Sequence, residues 1–513
     1  MTDTGSTRAA STNTAATRAV LGIDVGTSST KGVLVGFDGS ILGTAVREHN
    51  VSRPQPGFVE MDAAVWWDEF VSIARELTSP GVTVEAVGVS GMGPCVLVTD
   101  AAGSPLRPAI LYGVDSRASA QIDRINAELG SDAIFARGGS VLSSQAAGPK
   151  LAWIAENEPE VYAKARKLFM PSSWLAWNLT GAYLLDHQSA SQCTPLYDID
   201  ALEWYSPWAE RVAPGIELPP LVWADSVAGR VTDAAASATG LPAGIPVIAG
   251  TVDAWTEAIS VGAHGTGDLM LMYGTTMFLV HTVRERLAIP ELWGTVGAFE
   301  STLTVAGGMA TSGAITGWLR ELFGSLDAAP VSYTSLVRAA AESPPGAGGL
   351  LMLPYFAGER TPIADPDARG IIAGLTIEHT AGDVYRAALE AIALGVRHNI
   401  DALTAAGGSV DRVVAVGGGT QGDLWTQIVS DVTGLPQVVH RTTIGASFGA
   451  AFLAATAVED VSIEDWNPVE RIVEPNPAHA ANYDELYRLY LDLYPATRDI
   501  AHALAARQRA ASR

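Results

Sequence analysis

The stretch Gly22-Ile23-Asp24-Val25-Gly26-Thr27-Ser28-Ser29-Thr30-Lys31 decides how the chain is read. An apolar strand delivers a carboxylate to its end, directly before a turn that Gly26 permits. The backbone amides of such a turn, with hydroxyls from Thr27, Ser28 and Thr30, suit phosphate oxygens. Asp24 could hold Mg2+ through water, because Mg2+ keeps much of its hydration shell. For this segment alone the alternative is an ordinary hairpin with an Asp at its turn.

Working outward, residues 19–36 read as strand, tight turn and strand. Phe37-Asp38-Gly39-Ser40 supplies the next hairpin turn, leading into a strand at 41–46. Residues 65–77 have helical spacing and 85–90 form a short buried strand. Strands alternating with helices indicate an α/β protein. From Asp268 the pattern restarts: a strand at 269–273, the turn Gly274-Thr275-Thr276, and a strand at 277–282. Such a repeat predicts two related domains, each opening with a hairpin whose tip presents amides and hydroxyls. Two such tips facing one another would clamp a triphosphate from both sides, with the domain boundary near residue 262.

Two further segments carry chemistry. Gly250-Thr251-Val252-Asp253-Ala254 puts a carboxylate at the end of a buried strand. A kinase for alcohols needs a base that takes the hydroxyl proton and aligns the oxygen with the γ-phosphorus. An Asp with an ordinary pKa of about 3.9 can serve, because proton transfer is late and positioning dominates. An Asp that caps the following helix is the competing reading. The second segment runs from Val413 to Gly422, with Gly417, Gly419 and Gly422 spaced G-x-G-x-x-G. No acidic residue follows where a dinucleotide fold requires one. These glycines instead let an adenine or ribose approach the backbone, with a helix over 421–433 behind them.

At 513 residues the chain exceeds what one core supports, and a formal charge of −23 repels nucleic acid and anionic membranes. Cys95 and Cys193 are the only cysteines, so neither a disulfide framework nor a zinc cluster is possible, and a cytoplasmic home is expected. Residues 1–18 read as a disordered tail, and no stretch is long and apolar enough to span a membrane. Residues 343–349 read as a surface loop. Tyr483, Tyr487, Tyr490 and Tyr494 share one helix face and predict a C-terminal helix docked on the body. Gly445-Ala446-Ser447-Phe448-Gly449 matches a nucleophile elbow, but no His takes a triad position, and helix packing is the reading preferred.

Together these segments resemble the FGGY family of carbohydrate kinases, within the actin/hexokinase/Hsp70-type ATPases, and most closely its xylulokinase branch. The resemblance runs from about residue 20 to 500. It is carried by 22–31, Trp66-Trp67, 106–111, Asp253, Gly274-Thr275, Gly358-Glu359-Arg360-Thr361-Pro362, 370–390 and 417–434. It implies two ribonuclease H-like domains, 19–262 and 263–475, with the active site in the cleft between them and residues 476–513 packed back as a helix. Asp253 matches the family's catalytic base, and Asp24 its carboxylate associated with Mg2+ and ATP. Thr27, Ser28 and Lys31 fall in the first phosphate motif, Gly274, Thr275 and Thr276 in the second, and Gly418, Gly419 and Gln421 in the adenosine motif. Trp66, Met92, Asp115, Arg117 and Trp255 are candidates for the sugar pocket.

The pocket departs from the branch's pattern. Gly93-Pro94 stands where xylulokinases carry Met-His, Tyr112-Gly-Val-Asp115-Ser-Arg117 replaces Trp-Asn-Asp-x-Arg, and Ala254 replaces an Asn. Glycerol kinases' Arg-Glu pair is missing too. The implied reaction is ATP-dependent phosphorylation of a primary hydroxyl of a small ketose such as a pentulose, with a smaller or differently hydroxylated acceptor favoured by these changes. A tetritol, pentitol or glycerol-like acceptor, and a nucleotide-gated sugar-binding module without transfer, are the alternatives. A homodimer is compatible with this reading.

Overall fold

The computed structural model describes residues 16–78, 81–324 and 331–511. The N-terminal tail expected over 1–18 lies outside the described residues for 1–15. Thr17 and Arg18, however, begin the first strand, where Arg18 pairs with Glu85 at 2.6 Å and Glu459 at 2.9 Å. Ordered pairing therefore starts earlier than hydrophobicity alone indicated.

The strands that matter are β1 (Thr17–Val25), β2 (Ser29–Gly36), β3 (Ile41–Glu48), β4 (Val82–Gly91), β5 (Val227–Arg230), β6 (Pro246–Ile248) and β7 (Thr251–Val252). They form one sheet in the order β5-β6-β4-β1-β2-β3, with β7 also paired to β4. β1, β2 and β3 are antiparallel, β4 and β6 are parallel to β1's direction, and β5 returns antiparallel. In the second half, β8 (Asp268–Tyr273), β9 (Met277–Val283), β10 (Trp293–Val296), β11 (Leu303–Met309), β12 (Arg412–Val416), β13 (Gln437–His440) and β14 (Val469–Val473) form a sheet ordered β10-β11-β9-β8-β12-β13-β14. Again three antiparallel strands are followed by two parallel ones and a returning antiparallel edge. The repeat read in the sequence is thus a repeat of sheet topology, with the added strand β10 outside β11. Two such sheets are the expected ribonuclease H-like pair.

Helices cover the sheets by their apolar faces. In α1 (Ala63–Leu77), Asp62 caps the first turn by accepting from Ala64 N, and Trp66, Phe70, Ile73, Ala74 and Leu77 are buried. Trp66, proposed for the sugar pocket, is fully buried there, with its Nε1 on Met61 S at 3.0 Å. It is a core residue, and that assignment is corrected. α2 (Ala147–Asn157) follows the cavity-lining segment 143–146, α3 (Asp253–Ser260) starts at the cavity, and α4 (Asp423–Thr433) follows the glycine-rich turn. α5 (Ala446–Thr456) belongs by sequence to the second half but lies on the first sheet. A Cβ at Gly22 would stand 2.0 Å from Ser447 O, and one at Gly88 only 1.8 Å from Ala450 O. The same helix meets α3, where a Cβ at Gly449 would be 2.0 Å from Thr256 O. The Gly-x-Ser-x-Gly segment is therefore a helix crossing at backbone contact.

The C-terminal helix α6 (Ala480–Ala511) buries Tyr483, Tyr487 and Tyr490; Tyr490 and Tyr355 exchange a hydrogen bond at 2.8 Å. Residues 343–349 are a surface loop only in part: Pro344, Gly348 and Gly349 are exposed, but Ala347 is fully buried and Gly346 N donates to Glu390 Oε1 at 3.0 Å. Glu390, opposite Arg386 at 2.8 Å, supplies the acceptor that lets the Gly346-Ala347 part of this segment go inside. No helix among the described residues is long and apolar enough to cross a membrane.

Candidate active site

Between the two halves lies a cavity of about 660 Å3. Its base is the start of α3. Asp253 is the first residue of that helix, and its Oδ1 accepts from Ala254 N at 2.8 Å. Val252, not Asp253, is the cap residue of this helix, and the Asp253 carboxylate lines the cavity. Burial raises its affinity for a proton, and the Ala254 amide opposes that. Asp24, at the end of β1, is raised too, first by burial and next by the charge of Asp253; Ser90 and Lys31 pull it back. Its Oδ1 is buried with no hydrogen-bond partner.

A third carboxylate completes the group. Glu257 sits four residues after Asp253 on α3, so both project from one helix face. Burial pushes it up to about 7, against the attraction of Lys31. The spacing Asp253-x-x-x-Glu257 was visible in the sequence and passed over. Among the described residues no group of three or more His, Cys, Asp or Glu is arranged to hold a metal by itself.

Both hairpin tips close on themselves. Gly26 N donates to Ser29 O at 3.0 Å, and Gly274 N to Thr276 O at 3.2 Å. The first tip is braced by His49, whose N donates to Ser28 O and whose Nε2 meets Gly26 O, both at 3.0 Å. Thr27 Oγ1 shares a hydrogen bond with Tyr112 OH at 2.9 Å, which links this tip to the cavity wall. Lys31 and Ser28 are exposed beside it. Of the second tip, Thr276 reaches the cavity. Gly418 and Gln421 lie on an exposed turn after β12, apart from the cavity, with Gly419 between them. A Cβ at Gly419 would press on Tyr273 and Trp425, each at 2.8 Å, so this glycine also serves close packing.

Of the sugar-pocket candidates, Met92 and Trp255 line the cavity, Trp255 being fixed by its Nε1 on Thr304 Oγ1 at 2.9 Å. Asp115 and Arg117 do not, and are corrected to a structural role. They form a buried ion pair at 2.8 Å, with Arg117 also on Glu60 at 2.6 Å and its guanidinium 4.1 Å from the Phe58 ring. Asp115 Oδ2 accepts from Val59 N, so the network ties the Tyr112 turn to the chain before α1.

The cavity also gathers residues the sequence did not single out. Gln145 Oε1 accepts from Gly113 N at 2.9 Å, which leaves its amide nitrogen for a ligand. Gln192 Nε2 is buried without a partner on the same lining. Two carboxamide donors of this kind suit hydroxyl oxygens. Lys150 Nζ holds Ser144 O at 2.6 Å and so fixes the segment that carries Gln145; burial lowers its pKa to about 8. Trp293 and Phe278, stacked at 6.0 Å, give the opposite wall an apolar face. Arg360 comes from the Gly358–Pro362 motif noticed in the sequence, with no role attached to it there.

Comparison with known proteins accords with this geometry. Residues 19–260 match the model of the FGGY family of carbohydrate kinases, N-terminal domain, and residues 269–458 that of its C-terminal domain. A xylulose kinase of Staphylococcus epidermidis is 27% identical over 502 residues, covering 94% of this chain and 97% of its own. A glycerol kinase of a Janthinobacterium species is 30% identical over 474 residues, covering 88% and 92%. Among solved structures, the xylulose kinase of Rhodospirillum rubrum superposes with a TM-score of 0.88 at 31% identity, covering 94% of this chain and all of that one.

Proposed function

The chain belongs to the FGGY family of carbohydrate kinases, and on that premise we propose that it moves the γ-phosphoryl group of ATP to a primary hydroxyl of a small ketose of the pentulose class. The observation that carries the reading is Asp253: a carboxylate that opens into the cleft cavity, stands at a helix start and holds a proton more readily than an ordinary Asp. The acceptor hydroxyl gives its proton to Asp253 while its oxygen forms a bond to the γ-phosphorus. The bond from that phosphorus to the β-γ bridging oxygen breaks, and ADP leaves. Binding the hydroxyl in line is the larger contribution, since the transition state is loose and needs the proton removed late.

The tips at Gly26–Ser28 and Gly274–Thr276 supply amide and hydroxyl donors to the phosphates, with Lys31 beside the first and Gly418, Gly419 and Gln421 at the nucleoside end. A divalent cation fits next to Asp24, whose buried Oδ1 lacks a partner and whose neighbours are acidic. Asp24 would hold Mg2+ through water, and the cation supplies neutralisation of the triphosphate charge. Gln145 and Gln192 would donate to hydroxyls of the acceptor, while Trp255, Trp293 and Met92 meet its carbon face and exclude water. The xylulose and glycerol kinases among the relatives support a small polyhydroxylated acceptor. Such a reaction belongs in the cytoplasm, where ATP is.

The test is ADP release with MgATP across ketoses, alditols and glycerol, with Asp253→Asn run beside the wild type. Turnover of a pentulose that falls by about 10²–10⁴-fold in the variant supports the assignment. Preference for a tetritol or glycerol would replace the acceptor, and acceptor-independent hydrolysis untouched by the substitution would sink the role of Asp253.

A further inference from the structure

Arg360 is the one cationic side chain among the residues that line the cavity, whose other charged members are Asp253 and Glu291. One arm of its guanidinium is anchored, with Nη2 donating to Met309 O at 2.9 Å. Its Nε is buried with no partner. Nor does it take part in any ion pair described for the chain. The neighbouring Glu359 forms no ion pair with it; Glu359 Oε1 accepts from Ala310 N at 2.8 Å and from the Arg360 backbone N at 2.7 Å. Burial pushes the Glu359 carboxyl up to about 8, against the attraction of the Arg360 guanidinium.

A mostly buried cation with no carboxylate in direct contact is costly, and a protein with net charge −23 has many carboxylates to spare for it. Such an arrangement is retained where an anion arrives with the ligand. The surroundings say which one. After Met309 the chain turns onto the second hairpin tip, where Ser312 N donates to Thr275 O and Gly313 N to Gly274 O, both at 3.0 Å. On the other side the charge of Arg360 acts on Tyr112, whose OH is bonded to Thr27 of the first tip. Arg360 therefore stands between the two tips and beside the cavity that holds Asp253.

We propose that Arg360 is a catalytic residue whose guanidinium binds the oxygens of the phosphoryl group as it passes from ATP to the acceptor. The fork matches two non-bridging phosphoryl oxygens, and it neutralises charge that spreads over them as the bond to ADP breaks. The backbone of the motif keeps it in place: Thr361 Oγ1 accepts from Gly308 N at 2.7 Å and contacts Asn399 Oδ1 at 2.7 Å, while Ala364 N returns to Arg360 O. The inference rests on phosphoryl transfer as the reaction but not on which sugar accepts it.

The experiment compares the wild type with Arg360→Gln and Arg360→Lys in two readouts. The first is steady-state kinetics with the best acceptor; the second is the affinity for ADP and for a non-hydrolysable ATP analogue, each with Mg2+ and no acceptor. Arg360→Gln is expected to lower kcat by about 10²–10³-fold with acceptor KM changed by less than about 3-fold. It is also expected to abolish the preference for the ATP analogue over ADP, with Arg360→Lys recovering part of both. A rise in acceptor KM with the analogue preference intact would overturn the proposal and assign Arg360 to an acidic acceptor. Wild-type kcat in Arg360→Gln would overturn it as well. If melting shows Arg360→Gln misfolded, Arg360→Lys decides: a wild-type kcat and analogue preference there, in a fork that Lys cannot form, refutes bidentate binding. Should no acceptor be turned over by the wild type, the sugar assignment fails while the analogue measurement still tests Arg360.

Discussion

Replacing Gly449 by Ala tests whether the α3–α5 crossing holds the catalytic base in position. By helix propensity alone the change stabilises, by about 1 kcal/mol. The crossing reverses the sign. The new Cβ would lie 2.0 Å from Thr256 O and 3.0 Å from its carbonyl carbon. A carbon and a carbonyl oxygen approach to roughly 3.3 Å at closest, so the helices must part by about 1 Å or more. Thr256 is one turn beyond Asp253 on an eight-residue helix, so the displacement is carried to the carboxylate. Overpacking of this kind costs about 1–3 kcal/mol, and a 1 Å misplacement of a reacting group costs about 10²-fold in rate. The variant is therefore expected to lose about two orders of magnitude in kcat, with nucleotide affinity little changed, since neither hairpin tip is touched. Thermal melting and coupled ADP release on the same preparation measure both effects. A variant that melts above the wild type and turns over within about 3-fold of it would refute the reasoning, because the backbones would then have room that the structure denies them.

Three further outcomes are expected. Asp253 acts as a base only when ionised, so kcat/KM should fall as pH drops through its raised value; the acid limb should lie clearly above about 3.9, and a limb at or below that figure removes Asp253 from this role. Glu359 is raised to about 8, so the stability of its protonated form is present at low pH and is lost as pH rises toward that value; Glu359→Gln should gain about 2–3 kcal/mol on the wild type between pH 6 and pH 9, read as diverging denaturation midpoints. Arg117→Met leaves Asp115 without its cation in a buried site, while Glu60 keeps Arg107 at 2.5 Å, and should destabilise by about 3–5 kcal/mol while the folded enzyme keeps its kcat, whereas a raised acceptor KM in denaturant-free assays would return Arg117 to the sugar pocket.

What the sequence disclosed follows the range of the forces involved. The hairpins around Gly26 and Gly274, and the strand ends that deliver Asp24 and Asp253, are written in adjacent residues, where alternation and turn chemistry act within a few positions. The repeat of strand order followed from them. The pocket did not, because its walls come from distant segments. Trp66 and Arg117 carry the same side chains whether they face a ligand or the core, and only packing separates the two cases. Gln145 and Gln192 have no spacing that marks them; each acquires its role from what Gly113 and Ala147 do with the backbone around it. Arg360 stands in a recognisable motif, but its lack of an ion-pair partner is a property of three dimensions. The burial of Gly346 and Ala347 was hidden for a related reason: a Gly- and Pro-rich composition reads as surface until a buried Glu390 offers the Gly346 amide an acceptor.

The packing of Ala446–Thr456 on the sheet begun at Thr17 bears on how the molecule is made. When the ribosome has synthesised the whole first sheet, the face at Gly22 and Gly88 still has no cover, and nearly two hundred residues must follow before its covering helix emerges. A nascent chain in that interval presents a strip of backbone shaped for one particular helix. Cutting the gene between the halves would leave the first product with that strip open for good, and the second with a helix of alanines that has nothing to lie on.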